Sequence, residues 1–145
     1  MAPPRKGYRE CQKCGKNRSE KFFTSSRGKV CSPCRKSSRR TASRNARILK
    51  TYGLTADEYQ KVFDYQGGRC AICQETRKTK LAVDHCHKTE AVRGLLCARC
   101  NSQLLARGAR DRPEVLRRAA DYLESYPAWK VLGPRYTTDE GHENG

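Results

Sequence analysis

Large apolar side chains are scarce in this chain. Its 145 residues include three Phe, one Trp and one Met, and Leu, Ile, Val and Phe together supply only 21 positions. That is too little for the single large core of an α/β enzyme, and with a formal charge of +16 the composition would by itself read as disordered. No stretch approaches the roughly 20 consecutive apolar residues that a membrane span needs, so no membrane role is expected. The first ten residues carry charge but no apolar run and do not read as a secretory signal. Acidic residues are also few, 15 against 31 Lys+Arg. The expectation is a cytoplasmic, reducing environment.

Nine cysteines stand where the aliphatic core is missing. Small domains that cannot stabilise themselves by packing need cross-links or metals, and in a reducing compartment thiolates hold zinc more readily than they persist as disulfides. Eight of the nine form Cys-x-x-Cys pairs: Cys11/Cys14, Cys31/Cys34, Cys70/Cys73 and Cys97/Cys100, with Cys86 left over. Each pair wraps one side of a metal, and two pairs close a tetrahedral four-thiolate site. Sequence order assigns two structural Zn2+ ions, one to Cys11, Cys14, Cys31 and Cys34, the other to Cys70, Cys73, Cys97 and Cys100. Thioredoxin-like redox centres are the rival reading, but such a motif occurs singly on a βαβ unit and does not recur four times.

Positive charge is concentrated at one end. Residues 1–50 hold 16 Lys+Arg against 2 Asp+Glu, whereas 51–145 hold 15 against 13. A basic arm on a near-neutral body is the electrostatic footprint of a polyanion partner, ordinarily nucleic acid. The arm has no apolar face for a membrane surface.

Four segments follow from these signals: a ribbon over 1–36, a basic linker over 37–51, a body over 52–126 and a tail over 127–145. In the ribbon, Phe22 and Phe23 are expected over the metal, with Gly15 and Gly28 turning the chain. Around the ribbon's end and through the linker, Arg35, Lys36, Arg39, Arg40, Arg44 and Arg47 are the candidate DNA contacts. Four of them, Lys36, Arg40, Arg44 and Arg47, recur at helical spacing without apolar partners, so the linker is expected to be loosely helical at best until it meets phosphate. In the body, Thr55 and Glu58 form a capping box with Leu54 and Tyr59 as its staple, and Gly67-Gly68 ends that helix. Leu81–Asp84 and Ala91–Leu96 read as hairpin strands turning at 87–90. Helices are expected from about Asn101 to Arg107 and from Asp111, the latter capped by Asp-Arg-Pro-Glu with Leu116, Ala119, Ala120 and Leu123 along one face. Trp129 is expected to dock from the tail, and His142 to be solvated and idle.

The sharpest constellation is Asp84-His85-Cys86-His87 followed by Cys97-x-x-Cys100-Asn101. A zinc bracketing the hairpin would hold Asn101, one residue past a ligand, opposite Asp84 and His85, and rigid placement is what catalysis requires. An imidazole, ordinarily of pKa about 6.5, takes a proton from water near neutral pH, and a carboxylate and an amide oxygen are hard donors suited to Mg2+ or Mn2+. Successive strand residues point to opposite faces, so Asp84 and His85 share a site only if the strand ends or bulges there. Cys86 is expected in the hairpin core. For Arg93 two readings stay open, a phosphate contact or an exposed strand residue.

Several runs together carry a specific resemblance. They are Tyr52-Gly-Leu-Thr55, Gly67-Gly-Arg-Cys-Ala-Ile-Cys73, Val83-Asp-His-Cys-His87, Val92-Arg-Gly-Leu-Leu-Cys97, Cys100-Asn101 and the run from Asp111 to Leu123. Over about 52–126 the chain resembles the recombination endonuclease VII family of HNH (His-Me finger) nucleases. The resemblance implies a small zinc-stabilised α+β fold, a ββα-metal nuclease body carrying an N-terminal zinc ribbon. It implies His85 as general base, Asp84 and Asn101 on the catalytic metal, and Cys70, Cys73, Cys97 and Cys100 on structural zinc. His87 matches a second family histidine that contacts the scissile phosphate or supports the metal site. Leu104 stands where some relatives carry an acid. The implied function is metal-dependent hydrolysis of DNA phosphodiesters, by nicking or double-strand cleavage, with branched DNA among the candidate substrates. Its rival is a non-catalytic zinc-ribbon DNA-binding or packaging protein. Monomer and homodimer both stay open.

Overall fold

The computed structural model describes residues 5–136, which divide between Gly68 and Arg69 into two compact units. Of the three expected inner boundaries, those at 36/37 and 51/52 fall inside the first unit and that at 126/127 inside the second.

The first unit opens with a short antiparallel hairpin, β1 (Tyr8–Glu10) and β2 (Asn17–Ser19), with Arg9 opposite Arg18. Its turn is the first knuckle. The Gly15 N–H donates to the Cys11 carbonyl at 2.8 Å, and Gly15 takes φ +65°, a left-handed conformation that glycine adopts at no steric cost. Phe23 packs with Cys11 and Cys31 in the small buried core, as expected, but Phe22 is exposed. Above Phe23 the Arg9 guanidinium sits 4.3 Å from the ring centroid while donating to the Ser25 and Ser26 carbonyls.

From the second knuckle the chain runs straight into α1 (Ser32–Tyr52), a helix of 21 residues. The loosely helical linker is therefore a correction: residues 37–51 belong to a continuous helix. Cys31 stands at its N-cap with Pro33 in the first turn, and Gly53 ends it in the left-handed region with its N–H on the Leu49 carbonyl. The helix is thus started by the metal-site geometry rather than left to nucleate alone. It buries only Ile48, and Arg44 lays its guanidinium 4.5 Å from the Tyr59 ring centroid. Tyr59 is the buried residue of α2 (Ala56–Tyr65), and Phe63 stacks on it at 6.4 Å. The expected capping box is present: the Thr55 hydroxyl accepts from the Glu58 N–H at 3.2 Å, and the Glu58 carboxylate accepts from the Thr55 N–H at 2.8 Å. Those hydrogen bonds hold the Glu58 carboxyl below its ordinary range.

The second unit is built on the hairpin of β3 (Ala82–His85) and β4 (Val92–Leu96), paired Ala82 to Leu96, Val83 to Leu95 and Asp84 to Gly94. After Asp84 the register slips so that His85 faces Val92, leaving Arg93 as the extra residue of a bulge in β4. Leu81, Val83, Leu95 and Leu96 are buried beside Cys70, Cys97, Cys100 and Ala109. So few apolar groups suffice because three of the buried set, Cys70, Cys97 and Cys100, are candidate metal ligands.

Cys97-x-x-Cys100 opens the following helix, Arg99–Ala109, which is wound as a π-helix over 11 residues. The expected ordinary helix from Asn101 to Arg107 thus starts earlier, runs longer and turns more widely. π-winding is rare beyond a single turn and concentrates at functional sites. Gly108 belongs to it, since a Cβ there would lie 3.0 Å from the Gln103 carbonyl oxygen. The helix closes with the Arg110 N–H on the Leu105 carbonyl, and Arg110 and Asp111 both take left-handed backbone, φ +50° and +53°.

Helix α3 (Pro113–Ser125) has Arg112, not Asp111, at its N-cap, a second correction. Asp111 could not cap it because its carboxylate is engaged elsewhere. The face of Leu116, Ala119, Ala120 and Leu123 is not a core face: α3 has no buried residue, and Leu123 is 70% exposed. The expected surface tail is helical at first, as α4 (Pro127–Leu132). Trp129 packs on Tyr126 and Tyr136, at 4.9 and 5.7 Å between ring centroids, and so docks onto its own segment. His142 lies outside the described residues. No helix among the described residues is long and apolar enough to cross a membrane.

Candidate functional site

Two cysteine tetrads assemble as the spacing predicts. In each of the sets Cys11, Cys14, Cys31, Cys34 and Cys70, Cys73, Cys97, Cys100 the four Sγ atoms lie within 4.8 Å of one another. Tetrahedral zinc with Zn–S bonds of about 2.3 Å requires sulfurs some 3.8 Å apart, and Cys73 and Cys97 Sγ stand 3.9 Å apart. The donors fit zinc electrostatically as well. In the first set the Cys31 N–H and other backbone donors pull the Cys11 thiol down to about 6, while hydrogen bonding with Cys31 and Cys14 pushes Cys34 up to about 12. In the second, burial raises Cys70 but the N–H groups of Cys97 and Cys73 outweigh it, bringing the thiol to about 6, and burial with neighbouring sulfurs pushes Cys100 to about 12. Each nest favours ionisation of some of its thiols and resists that of another, and in the second the Cys97 thiol is lowered as well. A bound dication is what lets all four ionise. Arg77 adds a guanidinium 3.9 Å from Cys73 Sγ and pairs with Glu75.

The second tetrad brackets the hairpin that carries the Asp-His pair. The register breaks between Asp84 and His85, where β3 also ends, and the extra residue of the bulge, Arg93, lies on β4. Asp84 is 5% exposed and the only buried charged residue among those described. Its two oxygens accept from Arg93, Nε at 2.7 Å and Nη2 at 2.9 Å, a bidentate pair that also satisfies the buried carboxylate. Arg93 is therefore neither a plain strand residue nor solely a surface phosphate contact. Its Nη2 reaches Asp111 Oδ1 at 3.0 Å as well, and these two carboxylates raise its pKa further.

His85 is half-buried, its Nε2 4.0 Å from a Glu90 carboxylate oxygen and its ring 4.9 Å from that of His87. His87 Nδ1 lies 2.6 Å from Asp111 Oδ2. That hydrogen bond raises the His87 pKa above its ordinary value and, with Arg93, holds Asp111 below the usual carboxyl range. A cleft of about 460 Å3 opens beside them, lined by Cys86, His87, Lys88, Arg93, Arg110 and Asp111 among others. Cys86 thus lines a cleft instead of filling the hairpin core, and hydrogen bonding from Thr89 lowers its thiol pKa. Asn101 sits half-buried in the first turn of the π-helix, its N–H on the Cys97 carbonyl at 2.9 Å.

As a divalent-metal site the donor chemistry is suitable: Asp84 retains a lone pair on each oxygen beyond its bonds to Arg93, and Asn101 offers an amide oxygen. Sequence reasoning missed Asp111 as a site residue because its Asp-x-Pro-Glu context has the form of a helix cap. Glu90, placed at the turn by spacing alone, carried no signal of its proximity to His85. On α1, Lys36, Arg39, Arg40 and Arg47 are exposed, whereas Arg35 is half-buried and Arg44 rests on Tyr59.

Comparison with known proteins now adds to the geometry. The Gene 59 protein of Mycobacterium phage D29 is 51% identical over 102 residues, 69% of this chain and 61% of that protein. The Gene 59 protein of Mycobacterium phage L5 is 49% identical over 102 residues, 69% of this chain and 62% of that protein. The chain thus spans somewhat less than two thirds of these relatives' length. The crystal structure of the ββα-Me type II restriction endonuclease Hpy99I is similar at 24% identity and a TM-score of 0.35, covering 83% of this chain and 66% of that one, a likeness too loose to assign anything here. The model of the recombination endonuclease VII family matches residues 45–125, more than half of the sequence. The chain therefore belongs to the recombination endonuclease VII family.

Proposed function

We propose that the protein is a metal-dependent DNA endonuclease whose body, residues 52–126, hydrolyses phosphodiester bonds while the ribbon and α1 hold the flanking DNA. The observation that carries this reading is a hairpin bulged between Asp84 and His85 and bracketed by a cysteine tetrad, in a chain of the endonuclease VII family.

His85 acts as general base, removing a proton from the attacking water through a ring nitrogen. Glu90, 4.0 Å from Nε2, stabilises the positive charge that the imidazole then acquires. Asp84 and Asn101 would hold the divalent ion, Mg2+ or Mn2+, which when bound supplies Lewis-acid stabilisation of the phosphate and its leaving oxygen. Arg93 fixes the Asp84 carboxylate in direction through its two hydrogen bonds. The hydrogen bond to Asp111 orients the His87 ring, which contacts the scissile phosphate or supports the metal site. Lys36, Arg39, Arg40 and Arg47 on α1, together with Arg35 and Arg44, contact backbone phosphates.

Supercoiled plasmid incubated with the protein in Mg2+ or Mn2+ should become nicked or linear, and EDTA should prevent it. His85→Ala should lower the single-turnover rate by about 10²–10⁴, the usual share of a general base, with zinc content and DNA affinity unchanged. Plasmid binding without any metal-stimulated cleavage would instead identify a binding protein.

A further inference from the structure

We propose that Asp111 is a positioning residue of this site, holding the His87 imidazole and the Arg93 guanidinium together so that both face a DNA backbone phosphate in the adjoining cleft. What the cleft receives rests on the nuclease reading; the positioning itself rests on geometry.

Both oxygens of Asp111 are committed to the site. Oδ2 lies 2.6 Å from His87 Nδ1, and Oδ1 accepts from Arg93 Nη2 at 3.0 Å. A carboxylate accepts and does not donate, so Nδ1 of His87 carries the hydrogen, and Nε2 is the nitrogen left to act beyond this pair. The guanidinium is fixed from two sides, by Asp84 bidentately and by Asp111. One side chain therefore sets the orientation of an imidazole and a guanidinium that come from different parts of the hairpin.

The backbone under Asp111 is itself held in place. It is the second of two consecutive left-handed residues, φ +50° at Arg110 and +53° at Asp111, and its N–H donates to the Leu105 carbonyl at 3.0 Å. Aspartate is among the few non-glycine residues that tolerate this region, and strained backbone of this kind persists where its surroundings over-determine it. The wide π-turn through Gly108 sets where the chain leaves the helix, and so where Asp111 stands.

The cleft shows what the arrangement serves. Its charged lining is Lys88, Arg93 and Arg110 with Asp111 as the single acid, and His87 stands beside them. Asp111 is spent on His87 and Arg93, and the remaining character is cationic, the chemistry that receives a phosphodiester. His85 lies against His87 on the hairpin side, 4.9 Å between centroids, which places the proposed base next to the phosphate-facing group.

The test uses the full chain in reducing buffer with zinc, its imidazoles labelled with 15N. The wild type should show an exchange-protected Nδ1–H resonance that is identified as His87 by its loss in His87→Gln. Asp111→Asn should abolish that protection and lower the cleavage rate about 10–100-fold, the range for residues that orient a functional histidine, while zinc content stays the same. Asp111→Glu should restore part of both. A wild-type spectrum without a protected Nδ1–H at His87 would overturn the proposal, and that measurement stands even if the Asp111 variants fail to fold. An unchanged His87 resonance in Asp111→Asn would also overturn it. Should the wild type cut no DNA while the His87–Asp111 signature is present, the nuclease reading fails and the positioning role survives.

Discussion

Two cysteine tetrads, each built from two Cys-x-x-Cys pairs whose Sγ atoms lie within 4.8 Å of one another, stand in different surroundings in the two units. In the first unit, the tetrad ties a three-residue-per-strand hairpin to the start of a 21-residue helix whose exposed surface is basic and which buries only Ile48. In the second, it brackets a hairpin whose register breaks beside its one buried carboxylate. Metal geometry alone thus makes a scaffold. What distinguishes a site from a handle is the chemistry placed on that scaffold, Asp84, His85, His87, Arg93 and Asp111 in one unit and a stripe of Lys and Arg in the other.

Removing ligands tests that separation most severely. Structural zinc contributes about 10–16 kcal/mol of apparent binding free energy in zinc-finger peptides, more than either small core supplies. Cys70→Ser should unfold the second unit and abolish cleavage, while Cys11→Ser should weaken DNA binding and leave cleavage measurable at low salt. Elemental analysis should give two zinc ions for the wild type and one for either variant. Equal loss of cleavage in both variants would mean that the units do not divide the labour.

Next comes the arm. If α1 and the ribbon neutralise Z phosphates, log affinity falls against log salt with slope about −0.9Z, so a chain of residues 51–145 should show a slope flatter by several units. An unaltered slope would assign phosphate binding to the second unit.

A smaller effect is expected where the first unit passes into α2. Thr55→Ala removes one half of the capping box and should cost about 1 kcal/mol in urea denaturation. A loss confined to the first unit's transition, with the cleavage rate unchanged, would sharpen the division. Equal destabilisation of both units would blur it.

The smallest effect is electrostatic. His87 has a raised pKa, so its ion pair with Asp111 stabilises fully below the ordinary histidine value of 6.5 and is lost as pH rises through the raised one. Asp111 has a lowered pKa, so its share is present above 3.8 and lost as pH falls through the lowered value. The difference in thermal stability between wild type and Asp111→Asn should therefore be greatest between those limits and shrink above them. Since the bond from Arg93 persists, it should not vanish. A difference that grows with pH would contradict the pair.

Some of this was legible in advance because it depends on short-range rules. Four Cys-x-x-Cys pairs announce two metal nests by spacing. Thr55 and Glu58 announce a capped helix because the box is closed within four residues. The alternation in 81–96 announces a hairpin. Residues 37–51 were misjudged because a helix without an apolar face reads as unstable in isolation, whereas here the knuckle nucleates it. Asp111 reads locally as a helix cap, and Arg93 stays open between a phosphate contact and an exposed strand residue, because the partners that engage them lie 9 to 24 positions away.

The sequence by itself determined the two sulfur nests, the one-sided charge and the identity of the candidate base, since ligand spacing, net charge and residue type are properties of the chain read in order. Tertiary structure decided that the bulge falls at Arg93, that the helix after Cys100 winds as a π-helix, and that Asp84, Arg93, Asp111 and His87 form one hydrogen-bonded chain. Register, helical winding and the meeting of charges distant in sequence are set by which packed arrangement leaves the fewest buried polar groups unpaired, and that is a property of the whole unit.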